Sequence, residues 1–190
     1  LKLLTYVKGY SGVRPAVAEK IVQFLNKDIL PVIPEKGSVG ASGDLAPLGH
    51  MALSLIGEGY VLFKGREWST GTALKKARVK PLELQPKEGL SLINGTQVST
   101  ALAIKSLLDG ECLLKSADIA GAFSVENSFS SRLVFKNDIH ELKAHPGQKT
   151  AAKNVYKMMQ GSEIVQSHIN CSRVQDPYSF RCIPHIHGAC

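Results

Sequence analysis

Between Pro15 and Ile29, apolar residues fall at Val17, Ile21, Phe24 and Leu25 with charged residues among them, the spacing of an amphipathic helix. Pro15 suits its first position, and Pro31 and Pro34 are expected to end it. A second apolar block, Leu45 to Ile56, follows Asp44; Pro47 is tolerable in a first turn, and Gly57 is placed to close the helix in a left-handed cap. This block reads as a buried helix, and His50 within it as a hydrogen-bonded core histidine. Tyr60 to Phe63 and Glu67 to Ser69 flank Lys64-Gly65-Arg66 and predict a hairpin at the surface. Thr72 to Arg78 reads as a short helix, and Pro81 to Glu88 as extended chain.

From Thr96 to about Ser128 there is no proline, and Val98, Leu102, Leu107, Leu108, Leu113, Leu114, Ala117 and Ala120 occupy several faces, which predicts a long helix buried on more than one side. Gly110 and Gly121 lower its intrinsic propensity, so packing must supply its stability. His145-Pro146-Gly147 breaks the chain, after which Ala151, Val155, Met158 and Met159 mark one face of a helix ending at Gly161. Residues 162–175 show no clear period. The expected fold class is mainly α, with one small β-hairpin, a glycine-rich loop and no internal repeat. Residues 1–95 are expected to form a portion holding that loop, and 96–190 to open a helical bundle.

Composition narrows the function classes. In 190 residues, 44% hydrophobic content allows a sizeable core. No apolar run approaches the roughly 20 residues that span a bilayer, and no signal-peptide zones open the chain. Cys112, Cys171, Cys182 and Cys190 lie far apart without a C-x-x-C pair, which disfavours a zinc knuckle or a disulfide scaffold and favours a reducing cytoplasm. The net charge of +7 is spread along the chain without a basic cluster, so nucleic acid is not the expected partner. The chain begins at Leu1 rather than Met, and a fragment of a longer enzyme is expected.

The stretch from Glu35 to Gly43 carries three glycines and two serines, a composition that gives a loop access to unusual backbone angles. On its own, an Ala-Ser-Gly triplet is an ordinary turn. Here it sits within Gly37-Ser38-Val39-Gly40-Ala41-Ser42-Gly43-Asp44-Leu45-Ala46-Pro47-Leu48, which resembles the signature of the aromatic amino acid ammonia-lyases and aminomutases. The resemblance continues through residues 9–15, 87–96, 145–148 and 174–182, so it covers nearly the whole chain.

That resemblance implies a methylidene-imidazolone (MIO) cofactor built from Ala41, Ser42 and Gly43. The Gly43 amide nitrogen would attack the Ala41 carbonyl carbon, which only small residues permit, and Ser42 would lose its hydroxyl to leave a methylidene carbon. Ser42 lies just ahead of a helix start, whose partial positive charge would stabilise negative charge on the adduct. The resemblance also places Asn94 beside the cofactor or substrate; from the residues alone it reads rather as a cap before the long helix. Asp176 and Pro177 read as N-cap and first helical position, which puts Tyr178 and Arg181 on one face. By resemblance Arg181 would take the substrate carboxylate, while Gln175 and Tyr178 would hydrogen-bond around the reacting centre; without it, all three read as surface residues. His185 and His187 would face one side of a strand, but no third ligand accompanies them and no metal is expected.

The implied reaction is elimination of ammonia from an amino acid, with histidine giving urocanate the first choice and tyrosine or phenylalanine lyases or aminomutases the alternatives. The family's base is a tyrosine well upstream of the loop, so neither Tyr6 nor Tyr10 takes that role. A homotetramer with sites shared between subunits is implied, and the fragment alone is expected to be inactive. The contrasting reading is a helical assembly protein that forms no cofactor; loss of Ser42 or its glycines would mark it, and all are present.

Overall fold

The computed structural model describes residues 1–190, which divide into two compact units, Leu1–Lys105 and Ser106–Cys190. In chain order the first carries α1 (Lys2–Val7), α2 (Pro15–Asn26), β1 (Leu30–Pro31), α3 (Leu45–Leu55), β2 (Tyr60–Phe63), β3 (Arg66–Ser69), α4 (Thr70–Ala77) and α5 (Glu88–Ile93). Helix α6 (Gln97–Asn127) starts in this unit and continues through the boundary. The second unit adds a 3-10 turn (Arg132–Phe135), α7 (Asn137–Glu141), α8 (Pro146–Met158), α9 (Glu163–Ser167), α10 (Tyr178–Arg181) and α11 (Ile183–Ala189). The mainly α expectation holds.

Helix α2 ends five residues before Pro31, on Asp28 in a left-handed conformation. The Ile29 amide donates to the Phe24 carbonyl and the Asp28 amide to that of Leu25, so carbonyl pairing rather than proline sets the stop, and Ile29 is buried beneath it. The hairpin is not a surface ornament. Strand β2 pairs antiparallel with both β1 and β3, and Val61 and Phe63 enter the same core as Val17, Phe24, Leu55, Leu74 and Leu92. Alternation along β2 points Tyr60 and Leu62 to solvent and their neighbours inward. Helix α3 buries Leu48, Ala52 and Leu55 on one side only, so Leu45 and Leu53 are exposed, and His50 is exposed rather than in the core. Gly57 closes it with positive φ as expected. Residues 88–93, of which Glu88 closes the expected extended run, form α5.

The core of the second unit gathers Ala122, Val125, Phe135, Val155, Met159 and Ile183. Of the face expected on α8, Ala151, Val155 and Met159 are buried, while Met158 is 42% exposed because it falls one position off the stripe. Gly147 does more than break the chain: a Cβ there would overlap the Gly188 carbonyl, so α8 and α11 approach backbone to backbone. Buried Asp118 of α6 accepts from Asn154 of α8 at 2.8 Å and pairs with His187 Nδ1 of α11 at 2.9 Å. His187 therefore lies in a helix rather than a strand, and His185 instead approaches His140, with ring centroids 6.2 Å apart. Helix α6 departs most from expectation, since Leu102, Leu107, Leu108 and Leu113 are each at least 60% exposed in this chain, and its buried residues are Asp118, Ala122 and Val125.

Candidate active site

The glycine-rich loop is shaped by backbone rather than side chains. Gly40, Ser42 and Gly43 have φ of 65°, 58° and 103°, and Ser42 is the non-glycine residue held in this left-handed region, at a cost of about 1–2 kcal/mol. Ala41 and Ser42 are exposed, whereas Asp44 immediately after them is 2% exposed. A Cβ on Gly43 would sit 2.8 Å from the Gly95 carbonyl oxygen, 3.0 Å from the Gly95 nitrogen and 3.3 Å from Asn94 Oδ1. Only glycine fits there, and the contact places Asn94 beside the loop, 51 positions away in sequence.

Asp44 is the clamp. It stands at the N-cap position of α3 yet makes no side-chain bond to that helix. Its amide donates to the Gly95 carbonyl at 2.7 Å; one carboxylate oxygen accepts from the Ser99 amide at 2.7 Å and the other from the Ser99 hydroxyl. The Ser99 hydroxyl first, and then its amide, hold the Asp44 carboxyl below the usual range, with smaller help from the Val98 amide and the Ser38 hydroxyl. A carboxylate thus satisfies an orphan amide in the first turn of α6, where the helix dipole favours it. Asn94 is correspondingly not the cap of α6: it is the C-cap of α5 in extended conformation, with its amide on the Leu90 carbonyl at 3.0 Å.

Two further anchors lie outside the residues singled out from sequence. Arg14 and Glu88 form a fork, Nε to Oε1 and Nη2 to Oε2 both at 2.8 Å, and Glu88 also accepts from the Gln85 amide at 2.8 Å. Glu88 is 1% exposed, and the Arg14 guanidinium holds its carboxyl at about 2. Lys2, 6% exposed, donates to the Asn94 carbonyl at 2.6 Å. Lys2 between Leu1 and Leu3, and Arg14 between Val13 and Pro15, are charged residues in apolar surroundings and a signal available in the sequence; Glu88, between Lys87 and Gly89, gives none, and the partners of all three are not legible there.

In the second unit, Asp176 does not cap α10, whose N-cap is Pro177. Its carboxylate accepts from the Ser131 amide at 2.7 Å and faces Arg173 at 3.4 Å. Tyr178 and Arg181 do share a face, with the guanidinium 5.8 Å from the ring centroid. Arg181 Nε donates to the Asp176 carbonyl at 2.9 Å, leaving its two terminal nitrogens without a protein partner, and Tyr178 is 72% exposed. Gln175 and Arg181 line one cavity of about 560 Å³, together with Ser130, Arg132, His168 and Asp176, a volume suited to a small molecule. No group of three His, Cys, Asp or Glu side chains is arranged to hold a metal ion.

The family model described as "Aromatic amino acid lyase" matches residues 1–190. The chain belongs to the aromatic amino acid lyase family. One curated relative, histidine ammonia-lyase of Myxococcus xanthus (strain DK1622), is 47% identical over 189 residues, 100% of this chain and 37% of its own length. Among solved structures, the tyrosine aminomutase of Streptomyces globisporus matches with a TM-score of 0.88 at 38% identity, covering 99% of this chain and 39% of that one. Histidine ammonia-lyase from Trypanosoma cruzi matches with 0.86 at 33% identity, covering 99% and 34%. The chain therefore spans well under half the length of these aromatic amino acid lyase relatives, and they share its helical fold.

Proposed function

We propose that the intact protein is a carbon-nitrogen lyase that eliminates ammonia from L-histidine to give urocanate, using a methylidene-imidazolone made from Ala41, Ser42 and Gly43. The observation that carries this reading is the seat of Gly43 against Asn94 and Gly95, in a chain 47% identical to a histidine ammonia-lyase. The residues fit the group. Gly43 has no room for a side chain, Ser42 is held at positive φ with its hydroxyl in the open, and Asp44 is pinned at its amide and both carboxylate oxygens.

Cyclisation joins the Gly43 nitrogen to the Ala41 carbonyl carbon with loss of one water, and Ser42 gives up its hydroxyl and Cα hydrogen as a second. Holding Asp44 fixes one end of the three-residue segment, which reduces the entropy lost when nitrogen and carbonyl meet. Such a group would supply an electrophilic carbon for the substrate amine and so ease the departure of ammonia. Asn94 then orients the amino acid portion or the ring, and the free terminal nitrogens of Arg181 bind the substrate carboxylate in a fork. Gln175 and Tyr178 hydrogen-bond at the reacting centre. The first turn of α3, which Asp44 leaves uncapped, favours negative charge beside the loop.

In this reading the protein is a homotetramer with shared sites, in which Tyr178 and Arg181 of one chain serve the loop of another. The exposed Tyr178 ring and the exposed apolar residues along α6 support assembly, since a helix with apolar residues on several faces is stable when covered. Four cysteines without a disulfide support a reducing cytoplasm, and no helix is long and apolar enough to cross a membrane.

The test supplies the intact protein separately with histidine, tyrosine and phenylalanine and follows the ultraviolet absorbance of each unsaturated acid. Urocanate from histidine is the expected product. Coumarate or cinnamate would move the substrate assignment, and a β-amino acid with little free ammonia would make the protein a mutase, as in the Streptomyces globisporus match.

A further inference from the structure

Lys2 is an expensive residue where it stands. Its side chain is 6% exposed, and burial pushes its ammonium below the ordinary lysine range. A leucine or methionine would fill similar space without desolvating a charge. The ammonium has two contacts: the Asn94 carbonyl at 2.6 Å, and the Tyr6 ring with its centroid at 5.6 Å. Tyr6 is itself fixed, 7% exposed with its hydroxyl on the Ser91 carbonyl at 3.2 Å. Lys2 therefore reaches from α1 to the residue where α5 stops, and it binds the backbone of the one residue whose side-chain oxygen faces Gly43.

Asn94 needs such a hold. It is extended, it follows the last turn of a six-residue helix, and Gly95 after it has φ of 141°, so the backbone on that side is permissive. Its amide is tied to Leu90 and its carbonyl to Lys2, which fixes the peptide units on both sides of its Cα. With the backbone fixed, the side chain has few ways to turn from the loop.

We propose that Lys2 is a positioning residue for the lyase reaction: by binding the Asn94 carbonyl, its buried ammonium holds the Asn94 side chain at the cofactor-forming loop. This rests on the reading of Asn94 given under Proposed function. Lys2 touches neither substrate nor the reacting atoms, so its effect is transmitted entirely through Asn94.

The test is a double-mutant cycle in the intact protein with Lys2→Met, Lys2→Arg, Asn94→Ala and Lys2→Met/Asn94→Ala, reading kcat, KM and the mass of the peptide spanning Ser42. Lys2→Met is expected to cyclise as the parent does, two waters lighter, yet to lose roughly tenfold in kcat with KM changed by less than about threefold. Lys2→Arg, which keeps a buried donor, restores most of that loss. The double variant is no slower than Asn94→Ala alone, because both changes remove the same contribution. Unchanged kcat in Lys2→Met, or losses that simply add, would overturn the proposal. Parent-like kcat in Asn94→Ala would overturn it together with the role of Asn94, whereas a parent peptide of full mass would identify the cofactor reading as the failure. Should Lys2→Met not fold, Lys2→Gln takes its place in the cycle, and additive losses there overturn the proposal equally.

Discussion

Asp44 and Asp176 stand at equivalent places, each just ahead of a helix and each followed within three residues by a proline, and neither caps the helix it precedes. Both turn their carboxylates onto a distant amide: Asp44 onto Ser99, 55 positions away, and Asp176 onto Ser131, 45 positions away. They differ in what they fix. Asp44 is buried and pins the loop proposed to cyclise, and its surroundings are closed by Gly95, Ser99 and the seat of Gly43. Asp176 steadies a segment to which the proposed function assigns substrate binding, and beside it Tyr178 is exposed and Arg181 keeps two nitrogens free. On the proposed reading, the region that makes its own chemistry is preorganised by internal bonds, and the region that would receive a ligand leaves bonds unmade.

This contrast would break most plainly at Ser42. Ser42→Ala removes the hydroxyl that must leave, and activity is expected to fall by at least about a thousandfold, with the loop peptide retaining its full encoded mass apart from the substitution. Comparable activity in that variant would show that the loop does no chemistry. Next in size is Arg181→Gln, which should raise KM by roughly 10- to 100-fold through loss of a charge-assisted fork, while the loop peptide stays two waters light. A variant at Arg181 that failed to cyclise would erase the distinction between the two regions.

The clamp is sharpened by smaller changes. Gly43→Ala places a Cβ 2.8 Å from the Gly95 carbonyl at a backbone φ of 103°, so a loss of about 1–3 kcal/mol in thermal or denaturant unfolding and incomplete cyclisation are expected. Ser99→Ala keeps one of the two bonds to Asp44 and should slow cyclisation roughly tenfold in a time course of peptide mass, with Ser99→Thr restoring the rate. Equal cyclisation in parent and Ser99→Ala would count against Asp44 as the clamp.

The smallest effect concerns pH. The Glu88 carboxyl, held at about 2 by Arg14 against an ordinary 4.5, contributes stability that is fully present above the ordinary value. That contribution is lost as pH falls from about 4.5 toward 2, because the unfolded chain takes up the proton first. Unfolding midpoints measured from pH 6 to 3 should fall more steeply in the parent than in Glu88→Gln, which is less stable by about 1–3 kcal/mol at pH 6. Parallel curves would mean that the fork carries no linked proton.

Much of this was legible beforehand because it is local. Helical spacing marked α2, α3, α4, α6 and α8, the glycine at position 57 marked a stop, and the Ala41-Ser42-Gly43 run within its longer motif marked the candidate chemistry and the family. Local signals also misled where two readings had the same pattern. Aspartate ahead of a helix looks like a cap whether or not it turns elsewhere, and an apolar helix looks buried whether or not its covering is present, as the exposed leucines of α6 show.

The sequence by itself determined which residues are small enough to be candidates for cyclisation and which segments would be helical, since both depend on side-chain size and on near neighbours along the chain. Only the tertiary structure decided that Gly43 lies on Gly95, that Asp44 closes on Ser99, that Arg14 meets Glu88 and that Lys2 ends on Asn94. Each of those partnerships joins residues more than 50 positions apart. Directional bonds of that kind form only after burial has brought the elements together, and no spacing along the chain encodes them.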